Sequence, residues 1–442
     1  MGRRDDVLKY FNAQAPLWRE RAARGVEEHR KGDAYLCIAD AEGNPVEASV
    51  RLRQKTHDFK YGANLFMLEE MESAEKNEIY KEKFAEAFNL ATLPFYWSDL
   101  EPEEGKPRYA KDSVKVYRRP APDLCLEYCR AHGIAPKAHC LTYVNFTPDW
   151  VDLDNIDDAK KKLQRRYASL AAHYADEISD WEVINETLCK GHRQQKTAFF
   201  KAPELVEWNF ALAEKYFTAN KLIINEATHI WEKLYCFDRS PYYLQIERAL
   251  SKGVRIDSIG MQFHNFVRAE KEPDTASELY NPEHLYEVLD TYAALNKPIQ
   301  LTEVTIPAYT DSEEDEALQA ELLENLYRIW FSHPAMEAII YWNLVDGYAA
   351  FAPQGDMSAG ENYYRGGLLR FDMSVKPAYT AIQNLFEKEW RTNVSVQTDA
   401  EGKAAFRGFY GTYDAEITVN GQTCTKQIHL RKGAENCMQI TL

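Results

Sequence analysis

The chain is predicted to be an α/β protein: a (β/α)8 TIM barrel with a small accessory β-sandwich formed from the two chain ends. Two observations predict this. The long middle of the sequence alternates eight apolar, strand-like runs with amphipathic helical segments. Both ends instead show short stretches of period-two alternation separated by Gly-rich turns. A length of 442 residues is too great for one ordinary domain and suits a barrel plus something small.

The expected elements run as follows. AYLCIAD, a GNP turn and VEASVRLRQ read as a β-hairpin that follows an N-terminal helix, so residues 1–57 are assigned to the accessory unit. Residues 58–390 form the barrel. Its strands are expected at Phe59–Leu65, Phe88–Pro94, Ile134–Tyr143, Asp180–Glu186, Lys221–Glu226, Asp257–His264, Pro298–Val304 and Glu337–Leu344. Between them, Leu163, Tyr167, Leu170, Tyr174 and Ile178 fall on one helical face, and Leu318, Leu322, Leu326 and Trp330 on another. VSVQTD, AAFRGFYG, YDAEITVNG and KQIHLRK then supply strands over 391–442, which need the N-terminal strands as partners. A doubly wound sheet is the main rival, but no GxGxxG follows the first strand.

Composition narrows the function. Apolar residues make up 45 % of the chain, enough for a sizeable core, yet no apolar run approaches the ~18 residues of a membrane span. A net charge of −16 argues against a nucleic-acid partner. The start, MGRRDDVLKYFNAQ, lacks the apolar stretch of a secretory signal. A cytoplasmic location is expected if the chain is full length, and secretion if a leader was removed. The eight Cys show no CxxC, and Cys125 and Cys129 share a helical face, so reduced thiols are expected. No Cys/His pair has zinc-like spacing, and neither a metal nor a cofactor is expected.

In such barrels chemistry sits at the C-terminal ends of the strands. There the sequence offers Asn64, His139, Asn145, Asn185–Glu186, Asn225–Glu226, Gln262–His264, Glu303 and Trp342–Asp346. Two segments stand out, WEVINE ending in Glu186 and LTEV containing Glu303. Each puts a carboxylate at the end of an apolar strand, the fourth and the seventh, whose side chains can converge over the barrel mouth. Two carboxyl groups about 5–5.5 Å apart are what retaining cleavage of a glycosidic bond requires, one protonated and one ionised.

WEVINE and LTEV resemble the active-site signatures of glycoside hydrolase family 10, the xylanase family of retaining (β/α)8 enzymes. KAHCLTYVNFTPDW, SIGMQFH, IIYWNLVDGY and LLRFDMSVKPAY are similar to its segments at strand three, strand six, strand eight and the exit into the last helix. The resemblance runs in order from about Phe59 to Trp390. It implies Glu186 as acid/base, Glu303 as nucleophile, and Asn185 as a donor to the 2-hydroxyl of the attacked sugar. It further implies that His264 orients the nucleophile, that Gln262 lines the same floor, and that His139 and Trp342 complete the pocket. The implied partner is an oligo- or polysaccharide; oligomeric state is left open.

The sequence also departs from the family. Where the family grips the second sugar with Glu, Asn and Lys, this chain has Thr92, Leu93 and Tyr96. The Trp-His pair after strand three is Tyr143–Val144, with Asn145 next, and the second strand-eight Trp aligns with Ala350, beside Phe351. After the acid/base, Lys190, His192, Arg193, Lys196 and Lys201 form a cationic stretch; Arg193 is a candidate contact for a uronic acid on the leaving-group side, or the stretch is a solvated loop. The expected activity is hydrolysis of β-1,4-xylosidic bonds in xylan or xylo-oligosaccharides. The alternatives are a β-glycosidase acting on a short, decorated or uronic-acid-bearing glycoside, and a barrel that binds sugar without cutting it. The terminal β-unit shows no Trp stripe, only Phe409, Tyr410 and Tyr413, and reads as a structural cap.

Overall fold

The computed structural model describes residues 2–189 and 196–442. Two helices, Arg3–Ala13 and Ala15–His29, open the chain. Val7, Leu8, Phe11, Trp18 and Ala22 on their inner faces are buried and belong to the same core as the barrel. The second helix lies close along the long helix Glu313–Ser332. Gly25 permits the approach, since a Cβ there would sit 2.5 Å from the Ser332 carbonyl oxygen.

Strands β1 (Lys31–Ala39) and β2 (Ser49–Gln54) come next. The barrel follows, built from β3 (Lys60–Asn64), β4 (Leu90–Pro94), β5 (Ala135–His139) with its short continuation β6 (Thr142–Tyr143), β7 (Asp180–Asn185), β8 (Lys221–Glu226), β9 (Ser258–His264), β10 (Ile299–Thr305) and β11 (Met336–Tyr341). Every neighbour pair is parallel, and β11 pairs back onto β3, so the sheet closes. With β5 and β6 counted as one interrupted strand, the eight expected runs are the eight staves. Strands buried on both faces explain why those runs were near-continuously apolar rather than alternating.

The outer helices are fixed by ordinary end signals. Ile156–Tyr174 starts at Asn155, whose side chain accepts the Asp158 N–H, and buries Leu163, Tyr167, Leu170 and Tyr174. Ile178, expected on the same face, lies beyond the helix but is still fully buried. Glu313–Ser332 starts at Ser312, carries four acids in its first turn and buries Leu318, Leu322, Leu326 and Trp330.

After the barrel come β12 (Asn393–Gln397), β13 (Lys403–Phe409), β14 (Gly411–Val419), β15 (Gln422–Leu430) and β16 (Cys437–Thr441). They join the N-terminal strands in two sheets, β13-β1-β16 and β12-β2-β14-β15. Ala34, Leu36 and Ile38 of one sheet and Val50, Leu52, Ala415 and Ile417 of the other fill the space between them. The expected β1–β2 hairpin is therefore corrected. The two strands belong to opposite sheets, and the chain folds back on β1 only before β2 starts, through an isolated Ala39–Pro45 bridge and a bond from the Val46 N–H to the Ile38 carbonyl at 3.1 Å. Each has both edges taken: β1 by β13 and β16, β2 by β12 and β14. Residues 1–57 thus divide, their helices joining the barrel core and their strands the sandwich.

Among the described residues no helix is long and apolar enough to cross a membrane. All eight Cys are free thiols.

Candidate active site

Glu186 follows the last residue of β7, and Glu303 lies within β10. Both strands are irregular beside them: the β7–β8 register shifts between Glu182 and Ile184, and the β9–β10 register between Leu301 and Glu303. Such shifts re-aim side chains, here into the barrel mouth. Glu186 also takes a left-handed backbone, φ +53°, with its N–H bonded to the Asn225 carbonyl at 3.1 Å.

The two carboxyls meet on one amide. Nε2 of Gln262 donates to Oε1 of Glu186 at 2.9 Å and to Oε1 of Glu303 at 3.0 Å. One nitrogen bonding both oxygens keeps them less than about 6 Å apart, which fits a retaining pair and is too close for the roughly 6.5–9.5 Å of an inverting pair. Glu186 also accepts the Tyr143 hydroxyl at 2.6 Å, and Asn145 donates to that hydroxyl at 3.4 Å.

Glu303 is nearly sealed from water, at 5 % exposure. It accepts from Asn225 Nδ2 at 3.1 Å, and its second oxygen lies 3.2 Å from Nε2 of His264. His264 has its Nδ1 2.9 Å from the Thr305 hydroxyl, and burial pulls its pKa down to about 4. It is therefore a neutral ring that donates from Nε2 and accepts at Nδ1. Burial, reinforced by the charges of Glu182 and Glu186, pushes the Glu303 carboxyl up to about 8 against the opposing His139 and Lys137. The N–H groups of Asn225, Gln262 and His264 on Glu303 oppose that rise, since they favour its charged form.

Asn185 is oriented by its oxygen, which accepts from Asn225 at 2.9 Å and Gln262 at 3.4 Å. That turns its NH2 towards the cavity. Beneath the pair lies a buried charge network. Glu182 sits 2.6 Å from Nζ of Lys137 and 2.5 Å from Nδ1 of His139, all three essentially inaccessible. Burial alone would raise Glu182, but these two cations hold it at about 2; burial would lower His139, but Glu182 outweighs it and raises the imidazole. His139 thereby presents positive charge to Glu303 from below.

A second buried carboxylate holds the chain just after Glu186. Glu226, at the end of β8, accepts the Thr187 hydroxyl at 3.3 Å, the Leu188 N–H at 3.1 Å and the Cys189 thiol at 3.6 Å. Burial raises its pKa to about 7, with the Glu186 charge adding and backbone donors opposing. Cys189, Glu226 and His229 could hold a metal ion, as could His139, Glu182 and Glu303; in the second set Lys137 already supplies the positive charge.

A cavity of about 560 Å³ covers these groups. One wall is aromatic. Phe66 lies edge-on to Trp342 (5.1 Å between ring centres) and to Tyr96 (5.8 Å), and Tyr96 packs on Phe146 (4.1 Å). His139, Tyr143, Asn145, Asn185, Gln262, His264 and Trp342 all line this one cavity with the two Glu. Arg193, with Lys190 and His192, lies outside the described residues. Lys196 and Lys201 are exposed, and neither lines the cavity. The sequence placed Asn225 and Glu226 at a strand end without a role, and it did not single out Glu182, Thr305, Phe66, Arg118 or Arg119. Glu182, four residues before Glu186 in one strand, was the readable signal; the others depend on contacts between distant segments.

Comparison with known proteins gives the following. The model of "Glycosyl hydrolase family 10" matches residues 59–385. The anti-sigma-I factor RsgI6 of Acetivibrio thermocellus is 25 % identical over 419 residues, 92 % of this chain and 47 % of that protein. Endo-1,4-beta-xylanase 1 of Arabidopsis thaliana is 26 % identical over 410 residues, 90 % of this chain and 38 % of that protein. The chain thus spans about half or less of the length of these curated relatives. Among solved structures, native xylanase 10B from Thermotoga maritima shares the fold, with a TM-score of 0.59 and 21 % identity over 75 % of this chain and 96 % of that one.

Proposed function

Since the chain belongs to glycosyl hydrolase family 10, we propose that it hydrolyses β-1,4-xylosidic bonds of xylan or xylo-oligosaccharides with retention of configuration. Glu186 protonates the glycosidic oxygen while Glu303 attacks the anomeric carbon, giving a covalent glycosyl-enzyme. Glu186, now a base, then takes a proton from the water that releases the sugar. The observation that carries the reading is the Gln262 amide bound to both carboxyls, because it holds them at the spacing of a retaining pair. The Asn185 NH2 serves the 2-hydroxyl of the attacked sugar, and Trp342 with Tyr96 supports its face.

A second reading changes the substrate to a short or decorated β-glycoside. It is favoured by the wall where the second sugar would sit: Thr92, Leu93 and Val144 are buried and Tyr96 is packed among rings. Replacing charged grips costs about 1.5–3 kcal/mol each unless other contacts compensate.

Incubation with 2-fluoro β-xylosides and other 2-fluoro β-glycosides, followed by peptide mass mapping, tests both. Labelling of Glu303 is expected, with the most reactive sugar identifying the glycone. If no sugar labels it and no β-linked oligosaccharide is cleaved, hydrolysis is excluded and a sugar-binding barrel is left.

A further inference from the structure

The aromatic wall carries two adjacent arginines that the hydrolytic pair does not use. Arg118 and Arg119 line the cavity together with Tyr96, Phe66 and Glu361. Arg118 is 5 % exposed, and among the described residues no carboxylate lies within ion-pair distance of it. Its guanidinium donates to the Tyr348 carbonyl and, at 3.1 Å, to Oδ1 of Asn343; its Nε is buried with no partner. Glu361 acts on it electrostatically and is itself engaged by the Asn343 amide (3.4 Å) and the Ala350 N–H (3.3 Å). Arg118 also holds a left-handed backbone, φ +63°, braced by Arg119 donating to its carbonyl at 2.9 Å. Arg119 bonds Asp99 through Nε at 2.7 Å and lies over Tyr96, 4.1 Å from the ring centre; among the described residues its Nη2 has no hydrogen-bond partner.

An unpaired buried guanidinium is costly, and so is the strained backbone that delivers it. Arg119 lies over the Tyr96 ring, and Arg118 is 5.9 Å from the centre of the Phe66 ring that packs on Tyr96 and Trp342. On the hydrolytic reading Tyr96 and Trp342 support the attacked sugar, so the arginines face the glycone. We infer, on the basis of the hydrolytic reading above, that Arg118 and Arg119 recognise a carboxylate on the glycone, so that the preferred substrate carries an acidic sugar on its non-reducing side. Arg119 meets the carboxylate with its uncommitted nitrogen, and Arg118 supplies field and backing from behind.

Three probes test this: β-1,4-xylotriose, the same trisaccharide bearing an α-1,2-linked glucuronic acid on its non-reducing xylose, and a β-1,4-linked trisaccharide whose non-reducing unit is itself glucuronic acid. Binding is measured by calorimetry on the Glu303→Gln protein, and turnover on the wild type. At least one acidic probe is expected to bind about tenfold or more tighter than xylotriose, with the advantage shrinking in high salt. In the background of Arg119→Gln, the more accessible of the two, that ratio is expected to collapse to near one. Which acidic probe gains tells a branch carboxylate from a backbone uronide. Equal or weaker binding of both acidic probes would overturn the inference, and cleavage of xylotriose in that case would leave the hydrolytic reading standing. Arginine-dependent binding of an acidic probe without cleavage of any would do the reverse.

Discussion

Glu303 holds three N–H donors and still sits where its charge is disfavoured. Its folded pKa of about 8 lies above the ordinary 4.5. Between those values the folded protein keeps a proton that the unfolded chain has lost, so stability falls as pH rises through that window. Glu303→Gln is therefore expected to raise Tm at pH 8, leave it unchanged near pH 4 and abolish hydrolysis; identical melting at both pH values would contradict the assignment. Glu226 acts on the other carboxyl. Its charge and that of Glu186 raise each other, and it ties down the three residues after Glu186. Glu226→Gln removes the charge, so Glu186 should lose its proton earlier. The alkaline limb of kcat/KM is expected to move down by about 0.5–1 pH unit. A 2,4-dinitrophenyl glycoside, whose leaving group needs no proton, should show much less change; equal loss on both substrates would mean a purely structural role. The sequence made Glu186 and Glu303 legible because each ends or punctuates an apolar strand. It could not show Asn225 or Thr305 as partners, since their importance arises from hydrogen bonds spanning 78 and 41 residues.

The strands and helices differ in how far local pattern determined them. The barrel staves were readable because burial on both faces leaves a continuous apolar run. The hairpin was misread because alternation reveals which face of a strand is buried and not which strand lies beside it. β1 and β2 have apolar faces that oppose each other across a sandwich, and sequence proximity suggested pairing instead. β16 was overlooked because its five residues show only one buried position, Ile440. Between helix and barrel, Arg30 acts as a clasp. It donates to the carbonyls of Phe331, His333 and, at 2.8 Å, Met336, where the long helix ends and β11 begins. Arg30→Met leaves those carbonyls buried and unpaired. A loss of about 2–5 kcal/mol is expected in urea unfolding; a loss under about 1 kcal/mol would show that water or a shifted backbone replaces the clasp.

At the scale of the molecule, the barrel and the sandwich are not separable. The N-terminal helices belong to the barrel core, and Phe409 of β13 packs with Phe331 and His57 into that core. A single calorimetric transition is expected, and an early separate transition for the sandwich would refute the coupling. Against a net charge of −16, the arginine pair lining the cavity is the exception. Distant acids slow the approach of an acidic sugar, and added salt is expected to raise its association rate even as it weakens the bound complex.

The sandwich has a consequence for how the protein is made. β1 must find β13 and β16, and β2 must find β12 and β14, which are synthesised more than three hundred residues later. At about 5–20 residues per second, the two early strands wait tens of seconds on the ribosome with Leu36, Ile38, Val50 and Leu52 uncovered. During that interval the barrel can close behind them while their edges stay open to any other nascent strand. The interval, rather than the finished fold, is where this protein is most exposed to aggregation and most in need of a chaperone.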